Sequence, residues 1–212
     1  KRQVILRLAF TSYSDFQSSR TWYVLSALLL MGYGYFLYTH ALNVPYHDDI
    51  YDILRFIMQF DAAGGYGERL DLLLERHNDH RTAASRVIFL VLFGLQGVVD
   101  FSVIAFVANL ALPLLALLYW LAAGSRADRP LLLLLVLLLL LHPRYYGLML
   151  WPMSAFAFYG VCLYSFLSLY LLSDINPRRF ALSIFAALAA TYALSSGQLI
   201  WVVGLLALLY RG

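Results

Sequence analysis

Seven apolar runs dominate this chain, at about residues 21–39, 87–99, 101–123, 131–141, 148–172, 180–194 and 199–210, and they leave it few ways to fold. A lipid core holds no water to satisfy backbone amides and carbonyls, so such runs close their hydrogen bonds within themselves, as helices. With 62% hydrophobic and only 13% charged residues, the chain lies far from soluble domains, of which about a quarter is charged. It reads as an all-α, polytopic transmembrane helix bundle, a single domain over 1–212, with juxtamembrane helices in a first outer region at 40–100. A formal charge of +3, with no basic patch interleaved with aromatics, excludes a nucleic-acid partner. The lone Cys162 rules out an internal disulfide or a cysteine zinc site and reads as packing. A start at Lys1 without methionine, and a stop just beyond an apolar run, fit a piece of a longer polypeptide.

Not every run makes a full crossing. The runs Val87 to Val99 and Leu131 to Leu141 would each reach only about two thirds of a 30 Å core. Charge then decides parity. If 87–99 stays on the outer side, arginines 126, 129, 178, 179 and 211 fall inside with the N-terminal cations, and Arg144 is left outside, as the positive-inside rule requires. Six crossings are expected, with the N-terminus cytoplasmic.

Within 40–100, the stretch Asp49 to Phe60 alternates apolar and polar residues at helical spacing and predicts an interfacial amphipathic helix. Gly64-Gly65-Tyr66-Gly67 breaks it, and a second helix is expected from Arg69 to near His77-Asn78.

The residue types that carry chemistry gather in short clusters. His47-Asp48-Asp49, with Asp52 close by, stands at the mouth of the bundle, where carboxylates are costly to desolvate. Capping accounts for one aspartate; a catalytic or metal-binding role accounts for the group. Glu75-Arg76-His77-Asn78-Asp79-His80-Arg81 puts His77 and His80 three apart, on one face of a helical turn. With Asp48 or Asp49 these histidines could hold a divalent cation; with Arg81 they suit a phosphate, since guanidinium offers a planar fork of donors. His142-Pro143-Arg144 ends a short run, so His142 and Arg144 either wall a polar cavity or snorkel to headgroups. Ser195-Ser196-Gly197-Gln198 fits a tight outer hairpin: turn chemistry by itself explains the serines and glycine, and Gln198 or Trp201 could touch a ligand.

A first span, an acidic pair just outside it, two juxtamembrane helices and further spans resemble the GT-C superfamily of membrane glycosyltransferases. The order His47-Asp48-Asp49, His77 to Arg81, Tyr146 to Trp151 and Ser195 to Trp201 is similar to bacterial GT-C-like membrane proteins. The resemblance implies a bacterial inner-membrane enzyme with its active site on the periplasmic side. It would take a polyprenyl-phosphate sugar as donor and a glycan, lipid or protein as acceptor, among membrane lipids. Asp48 or Asp49 would be the base, and His47, His77, His80, Arg81, His142, Arg144 and Gln198 would bind substrate around one wet pocket. No cofactor is implied beyond a divalent cation on Asp48, Asp49, His77 and His80. The rival readings are a transporter or flippase for a lipid-linked or anionic substrate, and a non-catalytic subunit of a membrane complex.

Overall fold

A computed structural model gives the fold. It describes residues 2–77, 80–126, 128–174 and 176–211, with side chains described from Ser19 onward apart from those at 77 and 211. The chain is mostly helical, at 81%. Helix α1 (Arg2–His40) carries the predicted span Thr21 to Thr39 without a break. A π-helical stretch (Ile50–Arg55) runs into α2 (Phe56–Ala62), and α3 spans Tyr66–Leu74. Strands β1 (Arg76–His77) and β2 (His80–Arg81) follow, then α4 (Ala83–Gln96), α5 (Phe101–Asn109) and α6 (Ala111–Ala122). The chain continues through α7 (Arg129–Leu140), α8 (Tyr146–Met149), α9 (Pro152–Leu172), α10 (Pro177–Thr191) and α11 (Leu199–Arg211).

Among the described residues, three helical stretches are long and apolar enough to cross a membrane: Phe101–Ala122, Arg129–Met149 and Pro152–Leu172. The six expected crossings are therefore not matched by six long helices. Helices α10 and α11, with 15 and 13 residues, rise about 22 and 20 Å against a core of about 30 Å. The turn between them takes up the residues that would have lengthened them. Helix α1 carries Tyr23, Gly32, Tyr33, Gly34, Tyr35 and Tyr38 where the three long stretches carry mostly leucine, alanine and phenylalanine. Pro113 has no N–H to offer the carbonyl of Asn109, and the first long stretch is interrupted beside it at Leu110.

Cross-chain hydrogen bonds sort the loops into two ends. At one end Asn43 Oδ1 accepts from the Phe101 amide at 2.8 Å, Asp49 Oδ1 from the Met153 amide at 2.9 Å, and the Ala84 amide donates to the Tyr192 carbonyl at 3.1 Å. This end gathers the 41–100 region, the 142–151 turn and the 192–198 turn. At the other end Trp120 Nε1 donates to the Tyr23 hydroxyl at 3.3 Å, and Arg129 Nε to the Trp120 carbonyl at 2.8 Å. Arg126, Arg129, Arg178 and Arg179 belong to the turns of this second end, opposite the 41–100 region.

Helix α9 is the hub. It packs against α5, α6 and α10, and its buried Ser154, Ala155, Ala157 and Gly160 let neighbouring backbones come close. Phe89 of α4 rests edge-on against Phe156, centroids 5.3 Å apart. Inside the bundle the Tyr33 hydroxyl donates to Asn109 Oδ1, and Asn109 Nδ2 donates to the Ala105 and Met149 carbonyls, each at 2.7 Å. That node ties α1 to α5 and α8 and satisfies polar groups that lipid could not.

Two local expectations need correction. The amphipathic stretch after Asp49 is helical, but the second juxtamembrane helix begins at Tyr66 and stops at Leu74, and His77 and His80 lie on no helical turn. They are register partners in the antiparallel β1–β2 pair, as are Arg76 and Arg81. The helix ends there because Glu75 turns extended (φ −57°, ψ 142°) while the Arg86 guanidinium takes the carbonyls of Leu72 and Glu75. Asn78 and Asp79 lie outside the described residues. Cys162 is exposed on α9 rather than packed, so it faces outward from the bundle.

Candidate functional site

Asp49 and Asp52, two of the clustered carboxylates, are both fully buried. Asp49 Oδ2 accepts from the Tyr46 amide and Oδ1 from the Met153 amide, each at 2.9 Å. Pro152 opens α9, and the free amides of a helix N-terminus favour a carboxylate, so Asp49 fastens the first loop to the hub helix. Burial pushes its carboxyl up to about 6, the two backbone amides pull the other way, and the neighbouring Asp48 and Asp52 push it further up. Asp48 is only half-buried. His47 adopts a left-handed φ of 49° and places its ring 5.0 Å from that of Trp151, with Tyr46 edge-on to both.

A carboxyl group with a folded pKa above its unfolded value contributes stability that is complete below the unfolded value of 3.8 and is lost as pH rises through about 6. Asp49→Asn is therefore expected to flatten the fall in stability between those two pH values, read as unfolding midpoints in detergent at stepped pH. A variant that keeps the wild-type slope would assign that slope to other groups.

Asp52 is claimed by an ion pair. Its Oδ1 accepts from Arg86 Nη2 at 2.8 Å, Arg86 Nε at 3.1 Å and Thr82 Oγ1 at 3.1 Å. Arg86 is itself buried and lies over the Phe56 ring, 4.9 Å from its centroid. Asp52, expected beside the reacting carboxylates, is thus neutralised by Arg86, a residue outside the expected site. The available signal was an arginine abutting an apolar run, which requires a partner.

At the same end of the bundle, a cavity of about 420 Å³ is lined by Arg76, Arg81, Thr191, Tyr192, Ser195 and Gln198. His80 Nδ1 is 2.9 Å from Ser195 Oγ, the Arg81 guanidinium lies 6.0 Å from the Tyr192 ring centroid, and Trp201 Nε1 donates to Thr191 Oγ1 at 2.9 Å. Three residues singled out from the sequence, His80, Arg81 and Gln198, thus come together across more than a hundred positions. Arg76, Thr191, Tyr192 and Ser195 join them unforeseen. Arg76 was visible in the same charged run, whereas the other three look like ordinary turn and helix residues.

The remaining expected site residues lie elsewhere. His47, Asp48, Asp49, His142 and Arg144 are not in this lining. His142 Nδ1 accepts from the Arg144 amide at 3.1 Å and caps the 3₁₀ turn Pro143–Tyr145, with both side chains exposed. A second cavity of about 330 Å³, lined by His40, Tyr46, Tyr146 and Leu150 among others, opens beside the carboxylate loop. The expected residues thus do not share one wet pocket: the carboxylates and His142 and Arg144 line neither cavity, with Asp49 held by α9 and Asp52 by Arg86. Among the described residues no three His, Cys, Asp or Glu side chains come together as a metal site would need. The side chain of His77 lies outside the described residues.

No protein-family model, curated protein or solved structure matches this chain.

Proposed function

We propose that this protein is a GT-C-type glycosyltransferase of the bacterial inner membrane, moving a sugar from a polyprenyl-phosphate carrier to a glycan, lipid or protein acceptor on the periplasmic side. The observation that carries this reading is the cationic cavity in which Arg76, Arg81 and Gln198 meet at one end of an apolar bundle. Guanidinium forks suit phosphate oxygens, and the adjoining helices offer apolar surface to a polyprenyl tail. The positive-inside rule puts the end bearing Arg126, Arg129, Arg178 and Arg179 in the cytoplasm and the cavity outside.

In the reaction an acceptor hydroxyl attacks the anomeric carbon, the bond from that carbon to the phosphate oxygen breaks, and the carrier leaves as a phosphate monoester. Arg76 and Arg81 stabilise the charge that builds on the leaving group. The lining itself supplies no base among the described residues, so the hydroxyl proton is assigned to Asp48, half-buried in the first loop at the same end of the bundle, while Asp49 holds that loop in place. Asp48→Asn is expected to lower transfer from a lipid-linked donor about 10²- to 10⁴-fold in reconstituted membranes, with insertion unchanged. Full transfer by that variant would remove Asp48 from the reaction.

One observation favours a second reading. Among the described residues the cationic cavity is lined without a carboxylate, as in a site that binds an anion and breaks no bond. Such a protein would be a transporter or flippase for a lipid-linked substrate, with the half-length α10 and α11 meeting at a turn beside the site. Movement of the intact lipid across reconstituted vesicles, without cleavage, would establish it.

A further inference from the structure

The β1–β2 pair sets Arg76 directly opposite Arg81. Residues opposed across an antiparallel pair project from the same face with β-carbons about 5 Å apart, and like charges so placed repel. Among the described residues neither arginine has a carboxylate partner; the ion pairs there are Arg86 with Asp52 and Arg179 with Asp174. Glu75, next to Arg76 along the chain, offers its backbone carbonyl to Arg86, and Asp79 lies outside the described residues. The rest of the cavity lining, Thr191, Tyr192, Ser195 and Gln198, is neutral, and His80 stands behind it on Ser195. Among the described residues, two positive charges thus face a concavity of about 420 Å³ whose lining holds no counter-charge.

We propose that the opposed Arg76 and Arg81 make this cavity selective for a doubly charged phosphate monoester over a singly charged phosphodiester. The inference rests on the glycosyltransferase reading for its biological consequence, though not for its chemistry. A sugar-linked carrier is a diester with one negative charge. The spent carrier is a monoester whose second ionisation lies near pH 6, giving close to two charges at neutral pH. As the bond between sugar and phosphate breaks, charge on the phosphate grows toward the value the arginine pair matches, which lowers the barrier more than it tightens donor binding. The same match holds the product, so carrier release limits turnover and lipid monoesters inhibit. One further unit charge about 4 Å from each of two solvent-facing guanidinium groups corresponds to roughly thirtyfold in affinity.

The test uses the full chain in lipid nanodiscs at pH 8 and low salt, with dodecyl phosphate, methyl dodecyl phosphate and inorganic phosphate as probes. Dodecyl phosphate is expected to bind about thirtyfold more tightly than its methyl diester. Arg76→Gln and Arg81→Gln each bring the ratio close to one, Arg76→Lys restores most of it, and Arg126→Gln, at the opposite end of the bundle, leaves it unchanged. Equal affinity of the wild type for monoester and diester overturns the proposal, as does a preference that survives in both glutamine variants. Inorganic phosphate competing as well as dodecyl phosphate upholds charge selection and marks a soluble ligand; weak competition upholds it and marks a lipid headgroup. Monoester preference without sugar transfer defeats the enzyme reading alone, and transfer without preference defeats this inference alone.

Discussion

Replacement of Arg86 by methionine is expected to cost about 3–5 kcal/mol of stability, the largest effect of any single side-chain truncation in the 41–100 region. The guanidinium is 4% exposed and its partner Asp52 0%, so the substitution strands a desolvated carboxylate that water cannot reach. Nor is the ion pair the whole loss. Arg86 Nη1 donates to the carbonyls of Leu72 and Glu75 at 2.7 and 2.8 Å. A cation in that position completes the C-terminal end of α3. Without it the chain leading into β1 loses its anchor, and Arg76 and Arg81 lose their shared register. Two readouts should therefore move together: the unfolding midpoint in detergent and the affinity for dodecyl phosphate. The double variant Asp52→Asn with Arg86→Met should regain part of the stability, since no unpaired charge then remains, while the α3 carbonyls stay without their donor. A single variant that loses less than about 1 kcal/mol would mean that the pair is open to solvent.

Gly197→Ala is the second large effect. A β-carbon at this position would lie 2.0 Å from the carbonyl oxygen of Ala190, 2.3 Å from its carbon and 2.9 Å from the Thr191 nitrogen. All three are backbone atoms of α10, so no side chain can swing aside. The turn Ser195–Gln198 must lift from the helix, taking with it two residues of the cavity wall. A loss of about 3 kcal/mol or more follows, at the upper end for overpacking, with at least a tenfold loss of phosphate-probe affinity. Gly67→Ala is the matched control. Its β-carbon meets nothing within 4 Å, and in the first turn of α3 alanine should be neutral or stabilise by less than about 1 kcal/mol. Wild-type stability in Gly197→Ala would show that the turn does not sit against α10 as described.

Much of the architecture was legible in the chain alone. Hydropathy, summed along a stretch, needs no knowledge of what packs against it. The helices, the turn at Ser195–Gln198, the helical stretch after Asp49 and the grouping of arginines 126, 129, 178 and 179 at one end all follow from local composition. The number of long helices did not follow, because a turn can consume residues that count as apolar.

The fate of individual polar side chains was out of reach in a different way. Three neighbouring acids looked alike in sequence, yet Asp49 caps a helix that begins 104 positions later, as read from its bond to Met153, and Asp52 pairs with an arginine 34 positions on. Asp48, next to Asp49, is half-buried. His77 and His80 sit at helical spacing and are strand partners instead, and it is that strand pairing which sets Arg76 opposite Arg81 beside the cavity. Composition determined that this chain forms apolar helices and which turns share an end, because those depend on transfer of contiguous residues out of water. Tertiary contacts alone decided which charges are neutralised and which face a cavity, because a charge is compensated by whatever lies within a few ångströms, however distant along the chain.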